Sequence, residues 1–399
     1  MRSRRWWLRS RRWWLRRRGW LRRRWWLRRR GRVRRRVTAI PRLGLGVGWR
    51  PELAALALRR PDLGFVEVVA ESVPVDRLPL ALVEARRRGL HVIPHGIGLS
   101  LGGAEPPDPA RLDRLARLAE RLEAPMVSEH VAFVRAGGVE AGHLLPVART
   151  RAALDVLVDN VARAGERLPV PLALEPIATL FEWPDPEIDE GDFLRELLER
   201  TGALLLLDVA NVHANRANLG GDAVTALRAM PLDRVAYVHV AGGVERDGVY
   251  YDSHRHAVPR EVIGLLGELA AAAGPLPAAM LERDGDFPTL AELDGELDAI
   301  ASAARLGQPG PTVAPARPLP SPARAGQRAQ VAAGQAALVA ALVDGRAVPD
   351  GFHAGRLAAA SAVLRHKRRQ GGPGAVTPPH PAHAPALRRS GARARSRTC

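Results

Sequence analysis

Eight short apolar runs, each followed by a stretch with helical spacing, recur between residues 43 and 304, and this alternation limits the fold more than any other feature. The runs are 43–48 (LGLGVG), 64–71 (GFVEVVAE), 91–96 (HVIPHG), 125–130 (PMVSEH), 171–176 (PLALEP), 203–209 (ALLLLDV), 235–242 (VAYVHVAG) and 278–284 (AAMLERD). Asp108 stands before Leu112, Leu115, Leu118 and Leu122, and the same three- and four-residue steps mark 150–166, 192–200, 259–273 and 290–304. Strands alternating with helices predict parallel βαβ units. Eight such units over roughly 260 residues is the count and size of an α/β protein of the (β/α)8 TIM-barrel type. A doubly wound open sheet has the same periodicity, so the choice rests on where the polar residues fall.

They fall at the ends of the runs. Glu71, His95, Glu129, His130, Glu175, Asp208, His239 and Glu282 lie near the C-terminal ends of successive predicted strands. In a barrel those ends form one ring at the catalytic face. A ring of carboxylates and imidazoles repels itself unless a cation neutralises it, and His, Asp and Glu are ligands suited to iron, manganese or zinc. The loop after the seventh run adds Asp252, His254 and His256 at alternating positions. No GxGxxG, P-loop or Cys-ligand pattern is present, so nucleotide and thiolate-zinc readings have no support. Glu129 is expected to face the barrel interior, which by strand alternation turns His130 elsewhere, as a residue that supports a ligand or faces substrate. Glu71 and Asp284 could equally cap a helix or pair with an arginine. His91 and His143 stand outside the ring, and Asp159 and Asn160, in mid-helix, read as a solvated face.

The formal net charge of +18 does not belong to this body. Residues 1–36 hold nineteen Arg and no acid, and residues 365–399 hold eight Arg, one Lys and no acid, leaving 32 bases against 42 acids between them. A basic-ended nucleic-acid or membrane binder is the non-enzymatic alternative, and the acidic body argues against nucleic acid as a partner. The Arg/Trp repeat of 1–36 reads as a low-complexity extension. No apolar run reaches the ~20 residues of a membrane span. The only cysteine is Cys399, so no intrachain disulfide forms, and a cytoplasmic protein is expected. Residues 306–325 read as a Pro-rich linker after the 37–305 barrel, 326–369 as a small helical domain broken near Val348, and 370–399 as a disordered tail.

The motifs HGIGLSLG at 95–102, SEH at 128–130, LE at 174–175, LDVANV at 207–212, HVAG at 239–242, DSHRH at 252–256 and LERD at 281–284 together resemble the DUF692 family, the multinuclear non-haem iron-dependent oxidases that include the methanobactin oxazolone-forming enzyme. The resemblance implies a TIM barrel holding two or three iron ions and using dioxygen to modify a ribosomally made precursor peptide, commonly at cysteine. It carries iron-ligand roles to His95, Glu129 (as bridge), His239 and Glu282, and a place in the cluster and its catalytic environment to Asp252 and His254. Asp208 and Asn211 match a further ligand stretch, while His130, Glu175 and His256 are expected to support ligands or face the substrate. The chain departs from the family pattern at Val69 (histidine in many members), at Pro176 (asparagine) and at Gly142-His143. It also implies a peptide-delivery partner, a role the fused C-terminal helices could take. The alternative enzyme is a divalent-metal sugar isomerase or endonuclease-like barrel.

Overall fold

The computed structural model describes residues 40–306 and 323–369; the extension 1–36, most of the linker and the tail 370–399 lie outside the described residues. Each of the eight runs contains one strand of a closed barrel: β1 (Gly44–Gly48), β2 (Leu63–Val69), β3 (His91–Gly96), β4 (Val127–His130), β7 (Leu172–Glu175), β8 (Leu204–Asp208), β9 (Val235–Ala241) and β12 (Ala278–Glu282). They pair in parallel in that order, and β12 returns to β1. The open-sheet alternative is excluded.

Strand parity explains how the site arises. Phe65, Ile93, Met126, Ala173, Leu206, Tyr237 and Met280 point into the barrel and form its apolar floor. Two residues further along the same strands stand Glu67, His95, Ser128, Glu175, Asp208, His239 and Glu282, which therefore share that inner face. The intervening Val66, Val92, Val127, Leu174, Leu205, Leu207, Val238 and Leu281 pack outward against the helices. Parallel strands are covered on both faces, so apolar residues alone do not reveal which face is inside. Level with this floor, a Cβ on Gly46 would lie 2.3 Å from the Phe65 ring, so glycine there makes room for it.

Two hairpins depart from the expected pattern. β5 (Ala132–Ala136) and β6 (Val139–Pro146) form an antiparallel pair directly after β4, and β10 (Val244–Arg246) pairs with β11 (Val249–Tyr251) after β9. The helices Ala325–Asp344 and Ala354–Arg369 dock on the first hairpin, burying Leu338, Val339, Leu342, Leu357, Ala360 and Leu364 against Phe133, Ala141, Leu145 and Phe181. This docking corrects the expectation for Asp159 and Asn160, which are buried rather than solvated. Asn160 Nδ2 donates to the carbonyls of Leu101 and Gly103, 2.8 Å each, and Asp159 pairs with Arg328 of the docked helix. Helix Arg151–Arg167 carries a second covered face because the C-terminal pair lies against it, information that its own periodicity does not hold. Among the described residues no helix is long and apolar enough to cross a membrane.

Candidate metal centre

The inward-facing polar residues meet as four overlapping triads whose donor atoms lie within 4.8 Å of one another: His95, His130 and Glu175; Glu175, Asp208 and His239; Glu67, His239 and Glu282; Asp208, His254 and Glu282. Glu175 joins the first two. Its Oε2 lies 3.6 Å from His95 Nε2 and 3.4 Å from His130 Nε2, and its Oε1 lies 3.6 Å from His239 Nδ1.

Each histidine has one ring nitrogen occupied by the fold, which leaves the other for the centre. His130 Nδ1 is 3.1 Å from the Gly96 carbonyl, to which it donates. His95 Nδ1 is 2.9 Å from Ser128 Oγ. His239 Nε2 is 3.1 Å from Glu67, and its Nδ1 faces Glu282 Oε2 at 3.0 Å without hydrogen-bond geometry. Asp208 caps the helix that follows β8, its Oδ1 accepting from the N–H groups of Ala210 (2.6 Å) and Asn211 (3.1 Å), so Oδ2 is left over.

That remainder is the test of whether a metal fits. Glu175 Oε2, Asp208 Oδ2, His239 Nδ1 and Asp252 Oδ1 are buried and have no hydrogen-bond partner. Buried polar atoms without partners are costly, and a cation held by the Glu175, Asp208 and His239 triad would relieve the three residues that meet there. The electrostatics agree. Burial pushes His130 down to about 4, keeping its imidazole neutral and able to ligate. Burial opposes ionisation of Glu175, yet the neighbouring imidazoles, His239 first, outweigh it and hold the carboxyl down at about 2. Burial likewise opposes charge on His239 and His254, but the surrounding carboxylates raise both well above the ordinary histidine range. Burial, then Asp252, raises Asp208 well above the carboxylate range. Protons here occupy the place of a cation, and the oxygen-and-nitrogen donor set suits iron, manganese or zinc.

The other expected residues fall as follows. Glu129 is buried but does not enter the cluster: Oε1 accepts from Leu99 N–H at 2.5 Å, and Oε2 from the N–H of His130. A Cβ on Gly96 would lie 2.9 Å from Glu129 Cγ, so β3 leaves space for this outward packing. The inward residue at this strand end is His130, which reverses the expected order of the pair. Met126, Ser128 and His130 share one parity, and Glu129 has the other. Asn211 Nδ2 reaches Glu175 Oε1 (3.3 Å) and the Pro176 carbonyl (3.1 Å), holding the shared carboxylate beside the departure at Pro176. Val69 pairs with His95 in register. Asp252 Oδ2 lies 2.8 Å from His254 Nε2 at the rim, with 15 % of each side chain exposed. His256 stands apart, its Nδ1 2.8 Å from Ser253 Oγ. Glu71, in the turn after β2, accepts from the Ile97 N–H at 3.1 Å, and Asp284 pairs with Arg50.

Sequence reasoning missed Glu67, Tyr237 and Ser128 as parts of the site. Glu67 was detectable: a lone carboxylate inside the apolar run FVEVV needs a buried partner.

Similar proteins match this geometry's owner over most of its length. Residues 44–305 match the family described as "RiPP precursor modification enzyme MbnB/TglH/ChrH", and residues 332–385 match "SCO6045-like, C-terminal domain". A UPF0276 protein of Streptomyces avermitilis is 45% identical over 386 residues, 84% of this chain and 79% of that protein. A UPF0276 protein of Chromobacterium violaceum is 38% identical over 261 residues, 65% of this chain and 94% of that one. Among solved structures, D-psicose 3-epimerase from Clostridium cellulolyticum H10 is similar with a TM-score of 0.42 and 12% identity, covering 66% of this chain and 96% of that one. The chain belongs to the MbnB/TglH/ChrH family of RiPP precursor modification enzymes.

Proposed function

We propose that this enzyme uses dioxygen and a two- or three-iron centre to oxidise a ribosomally synthesised precursor peptide, at cysteine. The observation that carries the reading is the run of overlapping donor triads joined at Glu175, inside a chain of a peptide-modifying family. His95, His130, Glu175, Asp208, His239, His254 and Glu282 would hold the metal. Bound iron supplies redox capacity and a place for dioxygen and a thiolate to meet.

The protein contributes the rest. The carboxylates of Glu175, Asp208 and Glu282 would balance the charge of the metal, and the apolar floor beneath them keeps water out. At the solvent side of the cluster, Asp252 Oδ2 accepts from His254 Nε2–H at 2.8 Å, which leaves His254 Nδ1 facing Glu282 Oε2, 3.3 Å away. The C-terminal helix pair docks on the hairpin that follows β4, the strand that presents His130. We assign to it a part in holding the precursor peptide.

Anaerobic purification followed by elemental analysis and Mössbauer spectroscopy tests the centre. The expected result is two to three irons per chain with coupled spins, and oxygen uptake when a cysteine-containing precursor peptide is added. Zinc or manganese alone, with no oxygen uptake, would replace the oxidase by a metal-dependent isomerase-like enzyme.

A further inference from the structure

Beneath the donor triads lies a hydrogen-bonded chain that none of the functional assignments uses. Tyr237 is fully buried in β9, two residues before His239 and on the same inward face. Its hydroxyl lies 2.5 Å from Glu67 Oε2 and 2.7 Å from Ser128 Oγ. A hydroxyl has one proton, and the carboxylate, as the stronger and nearer acceptor, takes it. Tyr237 Oη then accepts from Ser128 Oγ–H, which leaves Ser128 Oγ to accept from His95 Nδ1–H at 2.9 Å. On the other side, Glu67 accepts from His239 Nε2–H, 3.1 Å away. Every proton on this path has one owner, and the directions are mutually consistent.

We infer that Glu67 and Tyr237, acting with Ser128, form a plate that sets the ring orientation of two histidines at once, so that His239 presents Nδ1 and His95 presents Nε2 to the metal centre. These are positioning residues. Glu67 lies near His239 and Glu282 closely enough to be mistaken for a ligand, but its Oε2 already receives Tyr237 and its carboxylate the His239 N–H. His239 Nδ1 has no hydrogen-bond partner, and His95 Nε2 looks towards Glu175 Oε2 at 3.6 Å. Both atoms face the shared carboxylate. The Tyr237 and Phe65 rings also pack edge to face, with centroids 5.8 Å apart, so the plate is seated on the apolar floor.

The inference rests on the proposed metal centre, and its test separates the two. Full-length wild type, Glu67→Gln, Tyr237→Phe and Ser128→Ala are compared for the rate at which bound metal passes to a competing chelator, and for ring orientation in crystal structures. Glu67→Gln and Tyr237→Phe are expected to bind metal roughly 10–100-fold more weakly, the range seen when groups supporting ligands are removed, and so to release it faster. In the crystals, both rings turn in Tyr237→Phe, whereas only His95 turns in Ser128→Ala. Leu204→Ala opens a cavity lower in the same floor, removes no hydrogen bond of the plate, and is expected to release metal at the wild-type rate. Unchanged rings in Tyr237→Phe overturn the plate, as does equally fast release from Leu204→Ala. Absence of metal from the wild type would instead overturn the metal centre, and the crystal structures would still decide the plate.

Discussion

His130 Nε2 faces Glu175 Oε2 at 3.4 Å, while the other nitrogen of the same ring is tied to the Gly96 carbonyl. The carboxylate of its chain neighbour Glu129 is turned outward to two backbone N–H groups. Glu175, shared by two triads, is therefore the bridging candidate in place of Glu129. Glu175→Gln should lose nearly all bound metal, whereas Glu129→Gln should keep most of it. Metal content per chain by mass spectrometry checks both, and full metal in Glu175→Gln would remove the bridge.

Glu129 makes a second prediction, in pH. Burial, then the charge of Glu71, holds its carboxyl well above the ordinary range. Below the unfolded-state value of about 4.3 both states are neutral, and no penalty exists. As pH rises the unfolded chain ionises first, so stability falls until the folded-state value is passed. The slope is at most about 1.4 kcal/mol per pH unit. Glu129→Gln lacks this loss. Thermal unfolding from pH 4 to 8 should show the variant gaining on the wild type as pH rises; parallel curves would mean that Glu129 is ionised throughout at no cost.

Much of this arrangement is legible in the chain because βα alternation is a local pattern. The eight apolar runs, and the placement of His95, Glu175, Asp208, His239 and Glu282 at their ends, follow from it directly. What failed was parity at a single strand end. Val127 and Glu129 face the helices, Met126 and Ser128 the interior, yet all four lie in a run that is buried on both faces. Hydrophobicity cannot separate the two faces there, and Ser128 gave no hint of belonging with Tyr237, 109 residues away in sequence. Glu67 stands in mid-strand, away from the strand ends at which a barrel's functional residues are expected. Burial of Asn160 depends on Leu101, Gly103 and Arg328, contacts that no window around the helix contains.

The docked helix pair should behave as part of the barrel's fold. Leu338 is fully buried between the C-terminal helices and the hairpin. Leu338→Ala should destabilise that docking by about 2–5 kcal/mol, the range for a truncated core leucine. Hydrogen exchange should then accelerate in 132–146 and 325–369 while β7, β8 and β9 keep their protection. Uniform acceleration across the barrel would show instead that both parts unfold together.

Removing the metal should cost the barrel stability through the same atoms that argue for its presence. A ligand bound only by the folded state stabilises it by about 2.7 kcal/mol at a hundred times its dissociation constant. Stripping it returns Glu175 Oε2, Asp208 Oδ2 and His239 Nδ1 to a buried state without partners. Chelator should therefore lower the unfolding temperature of the wild type. Glu175→Gln, already unable to hold metal, should unfold at one temperature with or without chelator. Acid should act like chelator, because protonation of the ligands competes with the metal. Differential scanning calorimetry of both proteins, with and without chelator, reads this directly, and an equal chelator effect on both would place the stabilising metal somewhere other than at Glu175.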